Sequence, residues 1–390
     1  MTYTIERIDL YVARLPLVRP FTTSSHTKDH LEHIIVRLRS GDGAEGWGEC
    51  ASPSDPYYCP ETLETCWHIL RDFLAPALLG QPWEHPEQVG GFWAKVRGNN
   101  FAKAGIEMAC WDLDARARGI SVARALGGDE ARPFIESGVS LGIEASPVAL
   151  LEQVDRFVAQ GYRRIKMKIG PGHDVAYVAA VREKYPDLPV MVDANYAYSL
   201  EHIAMLKELD RFNLMMIEQP LGDDDIIDHA TLQRELRTPI CLDESIHSAE
   251  DARKALAIDA GRVINIKVSR LGGLAEAKRT HDLCRARGIP VWCGGMHEFG
   301  VGRAANVAIN SLPGFTLPGD VSGSDRAYKE DIVDPPVLAH EGRLPVPLDR
   351  PGLGHDVVES RLRAALVREE TIALAAAAVG NGQWAVGSRA

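Results

Sequence analysis

A period of 25 residues constrains what this chain can fold into more than any other feature. Lys168, Asp193, Glu218 and Asp243 follow one another at intervals of 25 residues, and Lys267 comes 24 later. Each lies at or near the end of a short apolar run: RIKMKIG (164–170), VMVDAN (190–195), LMMIEQP (214–220), ICLDES (240–245) and VINIKVS (263–269). Such runs are too continuously apolar for half-exposed strands and suit parallel strands covered by helices. FIESGVSLGI (134–143), VWCGGM (291–296) and FTLPGD (315–320) bring the number of runs to eight. Helical stretches such as SPVALLEQVDRFVAQG and SLEHIAMLKELDRF fill the gaps. A strand with its helix takes roughly 25 residues, so eight units in about 190 residues predict a closed (β/α)8-type barrel. The five periodic side chains then hold equivalent places at the C-terminal strand ends, where barrel active sites form.

The segment before the barrel has a different texture. Residues 3–40 alternate apolar and polar, as a hairpin or meander with one buried face does. Gly41-Asp42-Gly43 and Gly46-Trp47-Gly48 are expected to be turns. From Pro60 to Arg118 the period becomes helical, with AKAGIEMACWDLDARARG stopping at Gly119. Residues 1–130 therefore read as a small α+β domain and 131–325 as the barrel. Residues 326–390 follow as a C-terminal segment whose last part, from about Asn381, is Gly-rich and polar and is expected to fray.

Composition excludes several classes of function. The chain has 43 basic and 54 acidic residues, a net charge of −11, so no cationic excess exists to neutralise phosphates. Nucleic acid and anionic membranes are poor partners on that ground. No apolar run approaches the ~20 residues of a membrane span, and the start lacks the pattern of a signal peptide. Seven cysteines, odd in number and without a CxxC pair, read as buried thiols in a reducing cytoplasm.

Asp193, Glu218 and Asp243, side by side at a barrel mouth, repel one another unless something neutralises them. A hard divalent cation, Mg2+ or Mn2+, suits an all-oxygen donor set. Lys168 and Lys267 fall on strands two and six, on opposite sides of that cation. An ammonium beside a divalent ion and a second positive charge is pushed down towards the ~7–8 useful to a general base. Lys166, on the same strand face as Lys168, could provide that second charge, and Arg270 could do so near Lys267. A cation between two opposed bases suggests abstraction of a proton α to a carboxylate, through an enediolate. The substrate would be a small anionic carboxylate.

At these residues the sequence closely resembles the enolase superfamily, in its muconate-lactonizing-enzyme-like subgroup. IKMKIGPGHD resembles that subgroup's KxK strand, and VDAN, IEQPL, CLDES and INIKVSRLGG match the metal strands and the second lysine strand. LPLVRPFTTS, EGWGEC, PICLDESI, GIPVWCGGM, GRAANVA and FTLPGD resemble the o-succinylbenzoate synthase / N-succinylamino acid racemase family. The resemblance implies an α/β fold, a modified (β/α)7β TIM-like barrel under an α+β capping domain that the C-terminal segment completes. It implies Asp193, Glu218 and Asp243 as metal ligands, Lys168 and Lys267 as the acid/base pair, and Lys166 as the first Lys of KxK. Ser140, Asn195 and the Gly294-Gly295-Met296 segment match positions that line the substrate. Phe21 and Tyr57 or Tyr58 fall in two capping loops, and Tyr57 is taken as the substrate contact. Barrels of this family commonly assemble, so a homo-oligomer is expected.

The chain departs from that pattern at GGMHEFG, where the family usually has GGMIETG, so His297 and Phe299 are the changed positions. His297 donates a proton, binds a polar substrate group or, as a lining residue, merely changes the shape of the pocket. Ala327 stands where an aromatic is common. Dipeptide epimerases typically carry a DxD motif on the last strand, and Asp320 and Asp325 lack that spacing. Muconate cycloisomerase remains a rival within the subgroup. Lys267 argues against an acid-sugar dehydratase, and retention of all three carboxylates and both lysines argues against a non-catalytic relative.

Overall fold

The computed structural model describes residues 1–22 and 27–374, without the side chains of residues 21, 22 and 27. The fraying expected from Asn381 and the aromatic contact expected of Phe21 lie outside the described residues.

Alternation of apolar and polar residues makes two long antiparallel strands, Tyr3–Thr22 and Thr27–Ser40. Glu45–Cys50 pairs with the second of them. The C-terminal strand Leu366–Ala373 pairs antiparallel with the first, with Arg7 opposite Ala373. The sheet thus takes in both ends of the described chain.

The 18-residue helix Asn100–Ala117 packs on this sheet with nearly every side chain buried, and Gly119 follows it at a φ of 67°. Gly41-Asp42-Gly43 forms the expected turn, but Gly46-Trp47-Gly48 does not: it is the middle of a strand. A Cβ on Gly46 would stand 2.2 Å from the Ala109 carbonyl oxygen, and one on Gly48 would stand 2.1 Å from that of Gly105. These glycines exist for close approach of strand to helix, not for chain reversal.

Seven parallel strands form the second sheet in sequential order: Val139–Leu141, Ile165–Lys168, Val190–Asp193, Ile217–Glu218, Ile240–Leu242, Val263–Ile266 and Val291–Cys293. Their side chains are buried almost without exception, as sheets covered by helices require. The first expected run divides in two. Phe134–Glu136 pairs antiparallel with Arg343–Pro345, and only Val139–Leu141 joins the barrel. Gly138 lies at the break, packed where a Cβ would meet the Arg164 guanidinium.

The eighth run, FTLPGD, forms isolated bridges and not a strand. Phe315 bridges to Val291 and Gly319 to Ser137. Asp320 N donates to Cys293 O, and Gly138 N to Gly319 O, so this segment links the seventh strand to the first. Pro318 removes an N–H from the middle of the run and Gly319 weakens extended geometry beside it, which works against a continuous ladder.

Among the described residues no helix is long and apolar enough to cross a membrane. All seven cysteines are free thiols, and six of them are buried.

Candidate active site

The parallel register brings the periodic residues together. Lys168 is level with Asp193, and Asp193 with Glu218, across neighbouring strands. Asp193, Glu218 and Asp243 are each almost wholly buried. Lys166 Nζ lies 3.1 Å from both Asp193 Oδ2 and Glu218 Oε2, and Lys168 Nζ lies 2.7 Å from Asp193 Oδ2. Both lysines therefore point to one face of their strand, as a spacing of two demands. On the other side, Lys267 Nζ lies 2.8 Å from Asp243 Oδ2. Arg270, also buried, pairs with Asp243 Oδ1 and donates to the carbonyls of Ile246 and Asn265.

Charge balance sets the protonation of these groups. Burial pushes the Lys166 ammonium down, but Asp320, Glu218 and Asp193 outweigh it and hold it above its ordinary value. Burial likewise opposes Lys267, and Tyr58, Glu244 and Glu218 outweigh it. Both directions follow from the acidic and phenolic groups that surround the two ammoniums. Burial raises Asp193, yet Lys168 and Lys166 hold it below the usual carboxylate range. Glu218 is raised by burial and by the neighbouring charge of Asp193.

Among the described residues no three His, Cys, Asp or Glu side chains are gathered to hold a metal as they stand. Ammonium groups reach the carboxylate oxygens instead. The donor chemistry nevertheless fits a hard divalent cation, with three buried carboxylates on adjacent strand ends. Glu244 Oε2 is a further buried carboxylate oxygen without a hydrogen-bond partner, and burial raises its carboxyl.

The positions expected to line the substrate surround this cluster. Ser140 is half-buried and its hydroxyl donates to Asp320 Oδ2 at 2.9 Å. Asn195, at a φ of 40°, accepts from Lys168 and donates to Glu244 Oε1 at 2.9 Å. Gly294 packs so closely that a Cβ would lie 2.7 Å from Lys267 Cε, and Gly295 and Met296 are half-buried beyond it. His297, at a φ of 60°, is an exposed residue. Surrounding protein, then Arg303 and Arg326, push the imidazole below its ordinary value. Of the aromatic pair, Tyr57 is 58% exposed, while the Tyr58 hydroxyl accepts from Lys267 Nζ at 3.0 Å.

Several contributors escaped the period. Asn265 donates to Glu218 Oε1 at 2.7 Å and accepts from Gly294 N at 2.9 Å. It sits two residues before Lys267, a spacing that could have flagged it. Gln219 accepts from Asp243 N and donates to Ser245 Oγ, fixing the strand-five end. Asp320 pairs with Lys166 at 2.7 Å and Arg164 at 2.7 Å, and those two cations hold its carboxyl low against burial. Trp292 underlies both cations, 4.9 Å from Lys166 Nζ and 5.3 Å from the Arg164 guanidinium carbon.

Comparison with known proteins agrees with this geometry. Residues 149–361 match the family model "Enolase C-terminal domain-like", and residues 7–127 match "Mandelate racemase / muconate lactonizing enzyme, N-terminal domain". An o-succinylbenzoate synthase of Geobacillus stearothermophilus is 52% identical over 92% of this chain and 94% of the relative. An N-succinylamino acid racemase of an Amycolatopsis species is 48% identical over 89% of this chain and 93% of the relative. Among solved structures, an enolase-superfamily member from Listeria innocua Clip11262 superimposes with a TM-score of 0.92 at 39% identity, covering 95% of this chain and 99% of the other. Muconate lactonizing enzyme from Pseudomonas fluorescens gives 0.87 at 28%, covering 94% and 100%. A capped parallel barrel, a carboxylate row flanked by lysines, and matches along both parts of the chain lead to one assignment: the chain belongs to the enolase superfamily, in the mandelate racemase / muconate lactonizing enzyme group.

Proposed function

We propose that this chain abstracts the proton α to the carboxylate of a small anionic substrate, acting as an o-succinylbenzoate synthase, an N-succinylamino acid racemase or both. The observation that carries the reading is the placement of Lys168 and Lys267 on opposite sides of Asp193, Glu218 and Asp243. Names of relatives of both kinds, each near 50% identity over most of the chain, support it.

Asp193, Glu218 and Asp243 would hold one divalent cation, Mg2+ or Mn2+. Such an ion supplies Lewis-acid stabilisation of the charge that develops on the substrate carboxylate. Lys168 removes or returns the α-proton on one face and Lys267 on the other. Lys166 stays charged beside Lys168 and attracts the substrate anion. In racemisation both lysines exchange protons. In synthase chemistry one lysine abstracts while the other remains an ammonium facing the intermediate, and water leaves from the β-carbon. Ser140, Asn195, Gly294, Gly295, Met296 and His297 line the substrate.

A dipeptide-epimerase reading needs a free carboxylate on the last strand for an ammonium. Asp320 is already occupied by Lys166 and Arg164, which disfavours it.

Incubation with N-succinyl amino acids in D2O plus Mg2+ tests the proposal. Deuterium should enter the α-position, and chelation of the metal should stop it. No α-exchange with any acyl amino acid, together with no formation of o-succinylbenzoate, would sink the reading.

A further inference from the structure

The loop after the seventh barrel strand, Gly294–Phe299, carries the departure from the family pattern, and its far end is held by the cap. Glu49, in the cap strand Glu45–Cys50, is completely buried. Its Oε1 accepts from Phe299 N at 2.8 Å and its Oε2 from Gly302 N at 2.7 Å. These are orphan amides at the start of the 11-residue helix Gly300–Asn310, whose own cap residue, Phe299, has no side-chain acceptor. A carboxylate there satisfies two donors and meets the positive end of the helix.

Glu49 is itself held. His33, on the neighbouring cap strand, is buried with Nδ1 at 2.7 Å from Glu49 Oε1, and its ring packs 4.4 Å from that of Phe299. A third donor leaves the carboxylate little freedom to turn. The rest of the loop hangs from this anchor. The Tyr328 hydroxyl donates to His297 O at 2.6 Å, and Glu298 Oε1 accepts from Met296 N at 2.9 Å. The Met296 side chain packs on the cap's apolar core. The loop that presents Met296 and His297 to the barrel mouth therefore takes its position from the cap.

We propose that Glu49, braced by His33, is a positioning residue that sets loop Gly294–Phe299 against the substrate, so that the cap governs affinity through a buried backbone anchor. This rests on the α-proton chemistry proposed above for its kinetic part only. Gly294, which packs on Lys267, is held separately by Asn265, and Lys168 and the three carboxylates stand on other strands, so loosening residues 296–299 should act on binding more than on proton transfer.

Glu49→Gln tests this, because an amide cannot accept from both Phe299 and Gly302 while keeping the His33 bond. In the full chain, hydrogen exchange of amides 296–303 should quicken at least tenfold, while the strands bearing Lys168 and Asp193 keep their rates. KM for N-succinyl amino acids should rise at least tenfold with kcat falling less than threefold, unequally among substrates with different side chains. Glu49→Asp should recover part of the affinity. His33→Asn, which keeps a donor, should change both readouts in the same direction by less, and it serves if Glu49→Gln fails to fold. Unchanged exchange in 296–303 overturns the proposal, as does a uniform fall in kcat at constant KM. A parent protein without α-exchange overturns the proposed reaction instead, while hydrogen exchange still decides whether Glu49 anchors the loop.

Discussion

Lys168 and Lys267 bring the same ammonium group to opposite sides of one barrel mouth, but the chain holds them differently. The Lys168 side chain is 27% exposed, and its partners Asp193 and Asn195 both come from the adjacent barrel strand and its end. The Lys267 side chain is 8% exposed and is enclosed by Asp243, the packing of Gly294, and Tyr58 from the cap. The Tyr58 ring also lies 4.8 Å from Lys267 Nζ. Among the described residues, one base is set by the barrel and the other by barrel and cap together. A lysine enclosed by a carboxylate and a phenol exchanges its proton with bulk water less readily. A more open one can exchange its proton with water between turnovers.

The largest effect should come from removing each amine in turn. Lys168→Ala and Lys267→Ala should each lower racemisation by at least about 10²–10⁴-fold, the usual worth of a positioned acid or base. The comparison becomes sharper with single enantiomers in D2O. Each variant should lose α-exchange of one enantiomer and keep measurable exchange of the other. Racemisation at the parent rate in either variant would break the two-base scheme.

A second contrast lies in the helices that follow the two lysine strands. On the Lys168 side, Asp174 caps helix Val175–Lys184 from the adjoining residue. On the Lys267 side, Glu107 of the cap reaches across to accept from Leu274 N and Ala275 N, at the start of Leu274–Ala286. Burial pushes the Glu107 carboxyl up from 4.5 to about 7, against the opposing pull of those amides and Trp111. An acid raised in the folded state keeps its proton there. Its stabilising contribution is complete below about pH 4.5 and is lost as pH rises through about 7. Glu107→Gln should flatten the pH dependence of stability across that window by up to about 3 kcal/mol. Denaturant titrations at pH 4.5 and pH 8 measure it, and parallel pH curves for the variant and parent would refute the assignment.

The same division explains what could be read from the sequence. Residues that belong to one strand each repeat with the period of the barrel, so Lys168, Asp193, Glu218, Asp243 and Lys267 stood out before any fold was known. Residues joined by closure or by the cap have no such period. Asp320 meets Lys166 only because the 315–320 segment bridges the first and seventh strands. Tyr57 and Tyr58 are adjacent in an irregular loop, and nothing in the sequence indicates which ring faces inward. Gly46 and Gly48 resemble turn glycines until the helix across from them is in place. Local chemistry was legible, whereas close approach between distant segments was not.

The smallest effect tests the cap's hold on Lys267 most directly. Tyr58→Phe keeps a ring beside the ammonium and removes only the oxygen 3.0 Å from it. A hydrogen bond to a charged group is worth about 1.5–3 kcal/mol, and the cation–ring attraction that remains offsets part of the loss. The expected net change is about 1–2 kcal/mol, roughly five- to thirtyfold in rate. It should fall on the proton transfer assigned to Lys267 and leave that of Lys168 within about twofold, because among the described residues the hydrogen-bond partners of Lys168 are Asp193 and Asn195 of the barrel. Stopped α-exchange assays on separate enantiomers read the two transfers independently. If Tyr58→Phe slows both enantiomers equally, the cap acts on the mouth as a whole, and the distinction between a barrel-held and a cap-held lysine fails.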